Sequence, residues 1–283
     1  MPLPTPDVFP TPDFDAAQVR LVALDMDGSL LDDDKRVPPG FWPLLDELLD
    51  RGVVVCPASG RQYATLRRDL GRDDLTYVAE NGAIVVREGE TVAVTPLALE
   101  VARAVVGTVR EAVAGGAPYG TVLCGERAAY VERSDEEFLV HVRPYYARLE
   151  VVADLTAVQD TILKVAVFDF GSAQTGAGAL LRRYDEAARV LVSGHHWVDV
   201  MDPAADKGSA LRAVQRLLGV GPEHTVAFGD YHNDLGMLGA ATWSFAMANA
   251  HPDVLAAARF VAPSNNDHGV VTTLRAALDG TAP

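Results

Sequence analysis

The stretch that decides the fold covers residues 19–30 and reads Val19-Arg20-Leu21-Val22-Ala23-Leu24-Asp25-Met26-Asp27-Gly28-Ser29-Leu30. A mostly apolar run of strand length ends abruptly at two carboxylates, Asp25 and Asp27. Buried parallel strands are continuous runs of Val, Ile and Leu, and open α/β sheets carry their chemistry just beyond the carboxyl ends of such strands. Because two acids in that position are costly unless a cation or a proton transfer requires them, the stretch predicts a functional site there.

The same Asp-x-Asp spacing occurs at Asp13/Asp15 and at Asp32/Asp34, but neither of these pairs ends an apolar strand. We interpret both pairs as solvated loop acids. An EF-hand calcium loop beginning at Asp25 is excluded, because that loop needs glycine at its sixth position and Leu30 stands there.

The composition is that of an acidic globular protein. The 283 residues are 49% hydrophobic and carry a formal net charge of −15. That charge argues against nucleic acid and anionic membranes as partners, so local cations or a bound metal must attract any anionic substrate. No apolar run approaches the roughly 20 residues of a membrane helix. The two cysteines and the lack of a secretory-signal pattern predict a cytoplasmic protein, and nothing in the sequence indicates an oligomeric state.

Apolar periodicity divides the chain into a tail, a core and an insertion. Residues 1–17 carry five prolines and predict an extended tail. Strands and helices alternate over 18–86 and again over 190–283, which is the rhythm of βαβ units with a parallel sheet. Residues 87–189 mix short alternating strands with helices and predict an inserted α+β domain.

The individual elements follow from the same periodicity. Predicted strands cover 21–24, 53–56, 76–79, 84–86, 120–124, 128–131, 162–168, 190–192, 225–228, 243–246 and 259–261. Predicted helices cover 41–50, 62–70, 97–113, 135–148, 173–188, 208–218 and 252–258, and one more begins at Asn233.

A second strand end carries a possible phosphate-binding turn. The strand that contains Cys56 runs into Ser59-Gly60-Arg61, where a hydroxyl and a glycine open a helix. Such a turn offers backbone N–H groups and a helix N-terminus to an anion. The alternative interpretation is a plain serine cap of that helix.

A third strand end is acidic. The strand over 225–228 runs into a segment that contains Asp230, Asn233 and Asp234, and hard divalent cations prefer such oxygen ligands. The alternative is a solvated acidic turn that caps the next helix. We interpret His232 as a loop residue, because a magnesium site prefers oxygen.

Lysine is rare in this chain, and its positions are therefore informative. Only three of the 24 basic residues are lysines: Lys35, Lys164 and Lys207. Where arginine predominates, a retained lysine favours a need for a compact ammonium group. Lys207, which opens a helix after Asp206, is the best phosphate-binding candidate of the three.

These four sites, in this order, resemble the motif set of the haloacid dehalogenase superfamily. The matching segments are Asp25 to Ser29, Ser59, Lys207 and Gly229 to Asp234, and the resemblance covers nearly everything from Arg20 onward. The stretch between Ser59 and Lys207 is similar to the large α+β cap, of the C2 type, found in Cof-type (subclass IIB) phosphatases. The resemblance implies an α/β Rossmannoid core with a parallel sheet and an inserted α+β cap.

The sequence departs from that family pattern in three places. Ser59 stands where threonine is frequent, and Ala248 stands where such proteins often carry glycine. A lysine often seen shortly after that segment is absent, since Asp253-Val254-Leu255 occupies the position. None of these departures removes a catalytic atom.

The resemblance implies phosphoryl transfer through an aspartyl-phosphate intermediate. Asp25 would be the nucleophile, and Asp27 would act as general acid for the leaving alcohol and then as base for the attacking water. The side chains of Asp25 and Asp230 and the backbone carbonyl of Asp27 would hold Mg²⁺. Asp234 would complete this metal-binding group by orienting metal-bound waters, or would orient Lys207.

The remaining site residues are also implied by the resemblance. Ser59, Gly60 and Lys207 would bind the phosphate oxygens, and Asn233 would help place the phosphoryl group. Candidate contacts to the leaving group, which the cap would select, are Arg61, Asn81 and Lys164. The expected substrate is a sugar phosphate or a similar small phosphate monoester.

Two other functions stay open at this point. A phosphomutase would use the same Asp25 but transfer the phosphoryl group to a second sugar hydroxyl. A non-catalytic metal-binding or ligand-binding relative would keep the fold alone. Intact Asp25, Asp27, Lys207 and Asp230 argue against a protein that only binds, because binding would not require both the nucleophile and the acid. A chain of this size with this cap fits hydrolysis better than a mutase.

Overall fold

The computed structural model describes residues 16–279 of the chain. Residues 1–15, which include Asp13/Asp15 and nearly all of the predicted tail over 1–17, lie outside the described part. The described chain begins with a short 3-10 helix at Ala16–Gln18.

The secondary structure is as follows. The strands are β1 Leu21–Asp25, β2 Val54–Ala58, β3 Thr76–Ala79, β4 Ile84–Arg87, β5 Glu90–Val94, β6 Tyr119–Gly125, β7 Ala129–Val131, β8 Leu149–Val151, β9 Ile162–Asp169, β10 Arg189–Val192, β11 Trp197–Met201, β12 Thr225–Gly229, β13 Trp243–Met247 and β14 Phe260–Ala262. The α-helices are α1 Phe41–Asp50, α2 Tyr63–Leu70, α3 Leu99–Ala114, α4 Glu136–Val142, α5 Ala177–Leu181, α6 Lys207–Leu218, α7 Leu235–Leu238, α8 Pro252–Ala257 and α9 Gly269–Asp279.

The described residues form two compact units. The first comprises residues 16–59, 74–90 and 206–279, and the second comprises Gly60–Asp73 and Thr91–Ala205. No helix between residues 16 and 279 has the length and apolarity needed to cross a membrane.

The first unit is built on strands in the sheet order β14-β13-β12-β1-β2-β3-β4. The strands from β14 to β3 run parallel, whereas β4 turns back antiparallel to β3. Strand β1 lies between β12 and β2, and all five of its residues are buried. This explains why the deciding stretch is apolar without alternation, since both faces of a central parallel strand are covered.

The strand register aligns the carboxyl ends of β12, β1 and β2. Leu24 pairs with Phe228 on one side, and Asp25 pairs with Ala58 on the other. Ser59 and Asp230 therefore follow their strands at the same edge of the sheet where Asp25 ends β1. Three of the strand ends that the sequence singled out thus lie at one edge of this sheet.

The second unit contains a sheet in the order β10-β11-β9-β6-β7-β8. Its neighbouring strands are antiparallel except for β7 and β8. Alternate residues of β9 enter two separate cores: Val165 and Val167 pack with α3 and α5, and Ala166 and Phe168 pack with α4. A period of two is the expected pattern for a strand that is covered on both faces.

Helix α2 belongs with the second unit because specific hydrogen bonds attach it there. The side-chain amide of Gln62 donates to the carbonyl of Arg148 at 3.0 Å and accepts from the Arg148 N–H at 2.9 Å. The Thr65 hydroxyl donates to the Tyr145 carbonyl at 2.8 Å.

The predicted fold class, an α/β core with an inserted α+β segment, is confirmed, and so are most of the predicted elements. The predicted domain limits differ from the compact units: residues 190–205 and 60–73, which the sequence assigned to the core, lie in the second unit. The sequence missed β5, β8, β11 and α9.

Two predicted helices are too long, for identifiable reasons. The helix predicted over 135–148 ends at Val142, because Pro144, which follows the C-cap Arg143, has no backbone N–H to continue the helical hydrogen bonds. The helix predicted over 173–188 is helical only from Ala177 to Leu181, followed by a 3-10 turn. The Asp169 carboxylate explains the late start, since it accepts from the N–H of Gly171 at 2.8 Å and of Ala177 at 2.9 Å.

Candidate active site

A buried ion cluster lies at the carboxyl end of β1. The ammonium group of Lys207 bonds to Oδ1 of Asp25 and, at 2.7 Å, to Oδ1 of Asp234. Lys207 is 1% exposed and Asp25 is 5% exposed. Buried charges persist only when they are paired or bind an ion, so these contacts account for the burial of the lysine.

The start of α6 positions Lys207. Asp206 caps this helix by accepting hydrogen bonds from the N–H groups of Gly208, at 2.8 Å, and Ser209, at 3.0 Å. Gly82 approaches the same helix end: it has a φ of 95°, and a Cβ there would lie 2.3 Å from the Asp206 carbonyl oxygen. Only glycine fits this contact. The turn of Glu80, Asn81 and Gly82 therefore packs directly against Asp206, the residue before Lys207.

The loop after β12 positions the two other acids. Oδ2 of Asp234 accepts hydrogen bonds from the backbone N–H of Asp230, at 3.0 Å, and of Tyr231, at 3.1 Å. Since its Oδ1 bonds to Lys207, both oxygens of Asp234 are engaged. Of the two roles that the resemblance implied for Asp234, this geometry favours the orientation of Lys207.

Asp25, Asp230 and Asp234 form one carboxylate cluster, with one oxygen of each lying within 4.8 Å of the others. Burial, followed by the charge of Asp234, raises the pKa of Asp25 well above its usual value. The same causes in the same order raise the pKa of Asp230 to about 6. Burial alone would lower the pKa of Lys207, but the carboxylates of Asp234 and Asp25 raise it, so the lysine is charged.

The cluster carries more negative than positive charge. Three carboxylates share one ammonium group, and Oδ2 of Asp25 is buried without a hydrogen bond from any residue of the described chain. A hard divalent cation prefers carboxylate oxygens and would supply the missing positive charge. The donor set therefore fits Mg²⁺, with the carboxylates of Asp25 and Asp230 available as ligands.

The loop after β1 passes close to Asp230. Gly28 has a φ of 87°, and a Cβ there would lie 2.3 Å from Oδ2 of Asp230, so the position requires glycine. The side-chain amide of Asn249 donates to the Gly28 carbonyl at 2.8 Å and fastens the loop. Sequence reasoning assigned no site role to Asn249.

Asp27 has a different environment from Asp25. Its side chain is 36% exposed, and one of its oxygens lies 2.9 Å from the ammonium group of Lys35. Two acids separated by a single residue therefore lie in contrasting surroundings, one buried and one in contact with water. The sequence predicted no role for Lys35, although it is one of only three lysines in the chain.

The phosphate-binding candidates lie near the same sheet edge. Ser59 is buried, its N–H donates to the Val78 carbonyl, and its own carbonyl accepts from Asn81 N–H, both at 2.9 Å. The side-chain amide of Asn233 donates to Oδ1 of Asn81 at 3.2 Å. Asn81, predicted as a leaving-group contact, is thus joined to a residue of the loop that carries Asp230.

Three further candidates, Gly60, Arg61 and Lys164, lie in the second unit. Lys164 is 2% exposed, pairs with Asp199 at 3.3 Å and donates to the Gly60 carbonyl at 3.0 Å. Arg61 pairs with Asp69 at 3.1 Å. These contacts are internal to the second unit, and no role in substrate binding follows from them.

Comparison with known sequences identifies a family. Residues 22–274 match the family of haloacid dehalogenase-like hydrolases. A curated relative, the 5-amino-6-(5-phospho-D-ribitylamino)uracil phosphatase YbjI of Escherichia coli K12, is 32% identical over 273 residues. The match covers 94% of this chain and 98% of that protein.

Solved structures share the fold over nearly the whole chain. SMU.1108c from Streptococcus mutans UA159 is 26% identical, has a TM-score of 0.81, and the match covers 92% of this chain and 99% of that one. The haloacid dehalogenase subclass IIB sugar phosphatase BT4131 is 19% identical and has a TM-score of 0.75, with 91% and 98% of the two chains covered. The second match is evidence of the fold alone.

Proposed function

The chain belongs to the haloacid dehalogenase-like hydrolases and is a phosphatase of small phosphorylated metabolites, and from this we propose that it acts through an aspartyl-phosphate on Asp25 with Mg²⁺ as cofactor. The observation that carries the proposal is the charge imbalance of the buried cluster at the end of β1. Asp25 is held by Lys207 through one oxygen, while its second oxygen is buried without a hydrogen bond from the described residues.

The carboxylates of Asp25 and Asp230 are the proposed protein ligands of the cation, together with the backbone carbonyl of Asp27. When bound, Mg²⁺ offsets the repulsion between a carboxylate nucleophile and a phosphate dianion and orients the two. Asp234 has both oxygens engaged by the chain and holds Lys207 and the loop in position.

Asp25 attacks the phosphorus atom of the substrate, a recognised role for an aspartate carboxylate. The bond from phosphorus to the ester oxygen breaks as the bond to a carboxylate oxygen of Asp25 forms. The Lys207 contact fixes the orientation of the carboxylate, because the lysine is itself held by Asp234. The pre-oriented nucleophile needs little rearrangement to reach the attacking geometry.

Asp27 donates a proton to the departing alkoxide and then accepts a proton from the water that hydrolyses the aspartyl-phosphate. Its partial exposure suits this task, because the carboxyl group must meet both the leaving group and water. General acid–base assistance of this kind contributes about 10²–10⁴-fold.

Lys207, Ser59 and Asn233 are proposed to bind the phosphate oxygens that do not react. The sequence-based assignments of Gly60 to the phosphate and of Arg61, Asn81 and Lys164 to the leaving group stay predictions. We further propose that the second unit, as the cap, selects the leaving group, since the proposed roles of the strand-end residues of the first unit concern the phosphate, the metal and proton transfer.

The proposed substrate is a polar phosphate monoester of a sugar or sugar alcohol. Support comes from the 32% identical relative, whose name gives a phosphorylated ribityl compound as its substrate. Among the contacts of residues 16–279, none favours a mutase or a purely binding role over hydrolysis.

The test is to trap the intermediate. The protein is mixed with Mg²⁺ and ³²P-labelled substrates, among them 5-amino-6-(5-phospho-D-ribitylamino)uracil and hexose and pentose phosphates, and is quenched in acid within one turnover. We expect acid-stable label on the wild type and on Asp27→Asn, which keeps the nucleophile, but none on Asp25→Asn. With p-nitrophenyl phosphate, whose leaving group needs no proton, Asp27→Asn should accumulate the label.

The products separate the rival functions. Inorganic phosphate indicates a phosphatase, and an isomerised sugar phosphate indicates a mutase. Label on Asp25→Asn equal to that on the wild type would exclude Asp25 as the nucleophile.

A further inference from the structure

Apart from the carboxylate cluster, the described residues bring together one other group of metal-ligating side chains: His232, His251 and Asp253. One potential ligand atom of each lies within 4.8 Å of the others. His232 is a poor ligand for magnesium, which prefers oxygen. Other dications prefer imidazole nitrogen, and for these His232 is a candidate ligand.

The spacing of this histidine cluster suits a small cation. Nε2 of His232 lies 2.9 Å, and Nδ1 of His251 lies 3.5 Å, from Oδ2 of Asp253. The two imidazole ring centroids are 4.2 Å apart. Ligand atoms around a tetrahedral cation with bonds of about 2.0–2.2 Å are separated by about 3.3 Å, which is close to both of these distances to Asp253.

Short, hydrogen-bonded segments position the three residues. His232 opens a 3-10 helix that ends at Asp234, and His251 is the N-cap of α8. The backbone N–H of His251 donates to the Asp230 carbonyl at 2.9 Å, which joins the two segments. The cluster is therefore pre-assembled by the backbone of the first unit.

The cluster is accessible and differs chemically from the carboxylate cluster. The side chains of His232, His251 and Asp253 are 39%, 37% and 67% exposed, which leaves room for water as a further ligand. Two imidazoles with one carboxylate are a donor set that suits Zn²⁺ and its neighbours, whereas Mg²⁺ takes oxygen ligands.

We propose that His232, His251 and Asp253 bind one transition-metal dication of the zinc class, at a site separate from the carboxylates of Asp25 and Asp230. Both imidazoles are attached to the segment that carries Asp230, so occupancy would fasten the N-terminus of α8 to that segment. A cation that binds only the folded protein also raises its melting temperature. The proposal does not depend on the catalytic mechanism.

The test is a Zn²⁺ titration by calorimetry of the full-length protein in saturating Mg²⁺, with Co²⁺ absorption spectra to report nitrogen ligation. The variants are His232→Gln and His251→Asn, and the second retains a side-chain acceptor for the Asp253 N–H that His251 accepts at 3.2 Å. His224→Gln is the matched control, since His224 is 38% exposed and lies 3.7 Å from Glu223 but outside the cluster. Circular dichroism and melting without zinc verify that each variant folds.

We expect one equivalent of Zn²⁺ and a rise in melting temperature in the wild type and in His224→Gln, with both lost in His232→Gln and His251→Asn. The visible Co²⁺ bands should follow the same pattern. Zn²⁺ binding that is unchanged in His251→Asn, or lost only in Asp230→Asn, would place the cation elsewhere and overturn the proposal. Failure of the wild type to bind would do the same.

Discussion

Two buried lysines of this protein lie in different surroundings. In the second unit, Lys164 lies 3.3 Å from the carboxylate of Asp199 and also donates to a backbone carbonyl. In the first unit, Lys207 is shared by Asp25 and Asp234, and Asp230 adds a third carboxylate.

The difference lies in the number of carboxylates gathered around Lys207, which indicates where a cation would bind. Removal of one partner of a buried ion pair leaves a buried charge that is less well compensated. In the cluster around Lys207, burial and the neighbouring acids raise the pKa of Asp25. A further positive charge would counteract this rise. The proposed cation site therefore rests on the surplus of carboxylates next to a buried ammonium group.

The largest expected effect is on activity. Asp25→Asn should lower kcat/KM by about 10⁴-fold or more, because it removes the nucleophile. In the absence of Mg²⁺ the same variant should melt at a higher temperature than the wild type, because it removes a buried acid whose pKa is raised. Phosphate release and calorimetric melting are the measurements. A melting temperature of Asp25→Asn below that of the wild type would contradict the view that Asp25 destabilises the metal-free protein.

The next effect separates the two clusters by stability. Lys207→Met and Asp199→Asn should each destabilise the metal-free protein by about 3–5 kcal/mol, because each leaves a buried charge without its partner. Only Lys207→Met should also abolish phosphatase activity at temperatures where the variant is folded. Denaturant unfolding and steady-state kinetics test this, and a stable Lys207→Met would mean that the lysine does not offset the carboxylates.

A third effect concerns pH. The folded pKa of Asp230, about 6, is raised above its unfolded value, so its protonated form favours the metal-free fold. This contribution is fully present below the unfolded pKa near 3.8 and is lost as pH rises through about 6. Mg²⁺ needs the ionised form, so stabilisation by Mg²⁺ should be large at pH 7.5 and small at pH 5. Melting scans with and without Mg²⁺ at each pH measure this stabilisation. In Asp230→Asn the effect of Mg²⁺ on the melting temperature should not change with pH.

The smallest effect concerns loop geometry. Gly28→Ala should destabilise the protein by about 1–3 kcal/mol, because the position has a positive φ and the added Cβ would meet the Asp230 carboxylate. Mg²⁺ affinity should fall with it. Gly89→Ala is the matched control, since Gly89 also has a positive φ but has open space at its Cβ. Equal Mg²⁺ affinities for the two variants would show that the contact with Asp230 is unimportant.

The sequence was informative where short-range chemistry determines structure. The apolar run that ends at Asp25 predicted both the buried central strand and the location of the site. The scarcity of lysine and the position after Asp206 singled out Lys207 as a phosphate-binding candidate. The structure places its ammonium group between two carboxylates. These signals are local in the chain, and strand order brings them together.

The sequence was uninformative where tertiary packing decides. Nothing local shows that α2 is attached to the second unit by Gln62 and Thr65, or that β11 completes the second sheet. The contact of Gly28 with Asp230 joins residues that are far apart in the chain. Whether Asp234 contacts a cation or Lys207 likewise depends on distances that the sequence does not contain.

The proposal that the carboxylate cluster at the end of β1 binds the cation is tested most directly by a calorimetric Mg²⁺ titration of the wild type, Asp230→Asn and Asp199→Asn at pH 7.5. We expect one Mg²⁺ per chain in the wild type and in Asp199→Asn, with the same affinity, and no detectable binding to Asp230→Asn. Equal Mg²⁺ binding to all three proteins would contradict it, because the imbalanced cluster at the end of β1 would then not be the cation site.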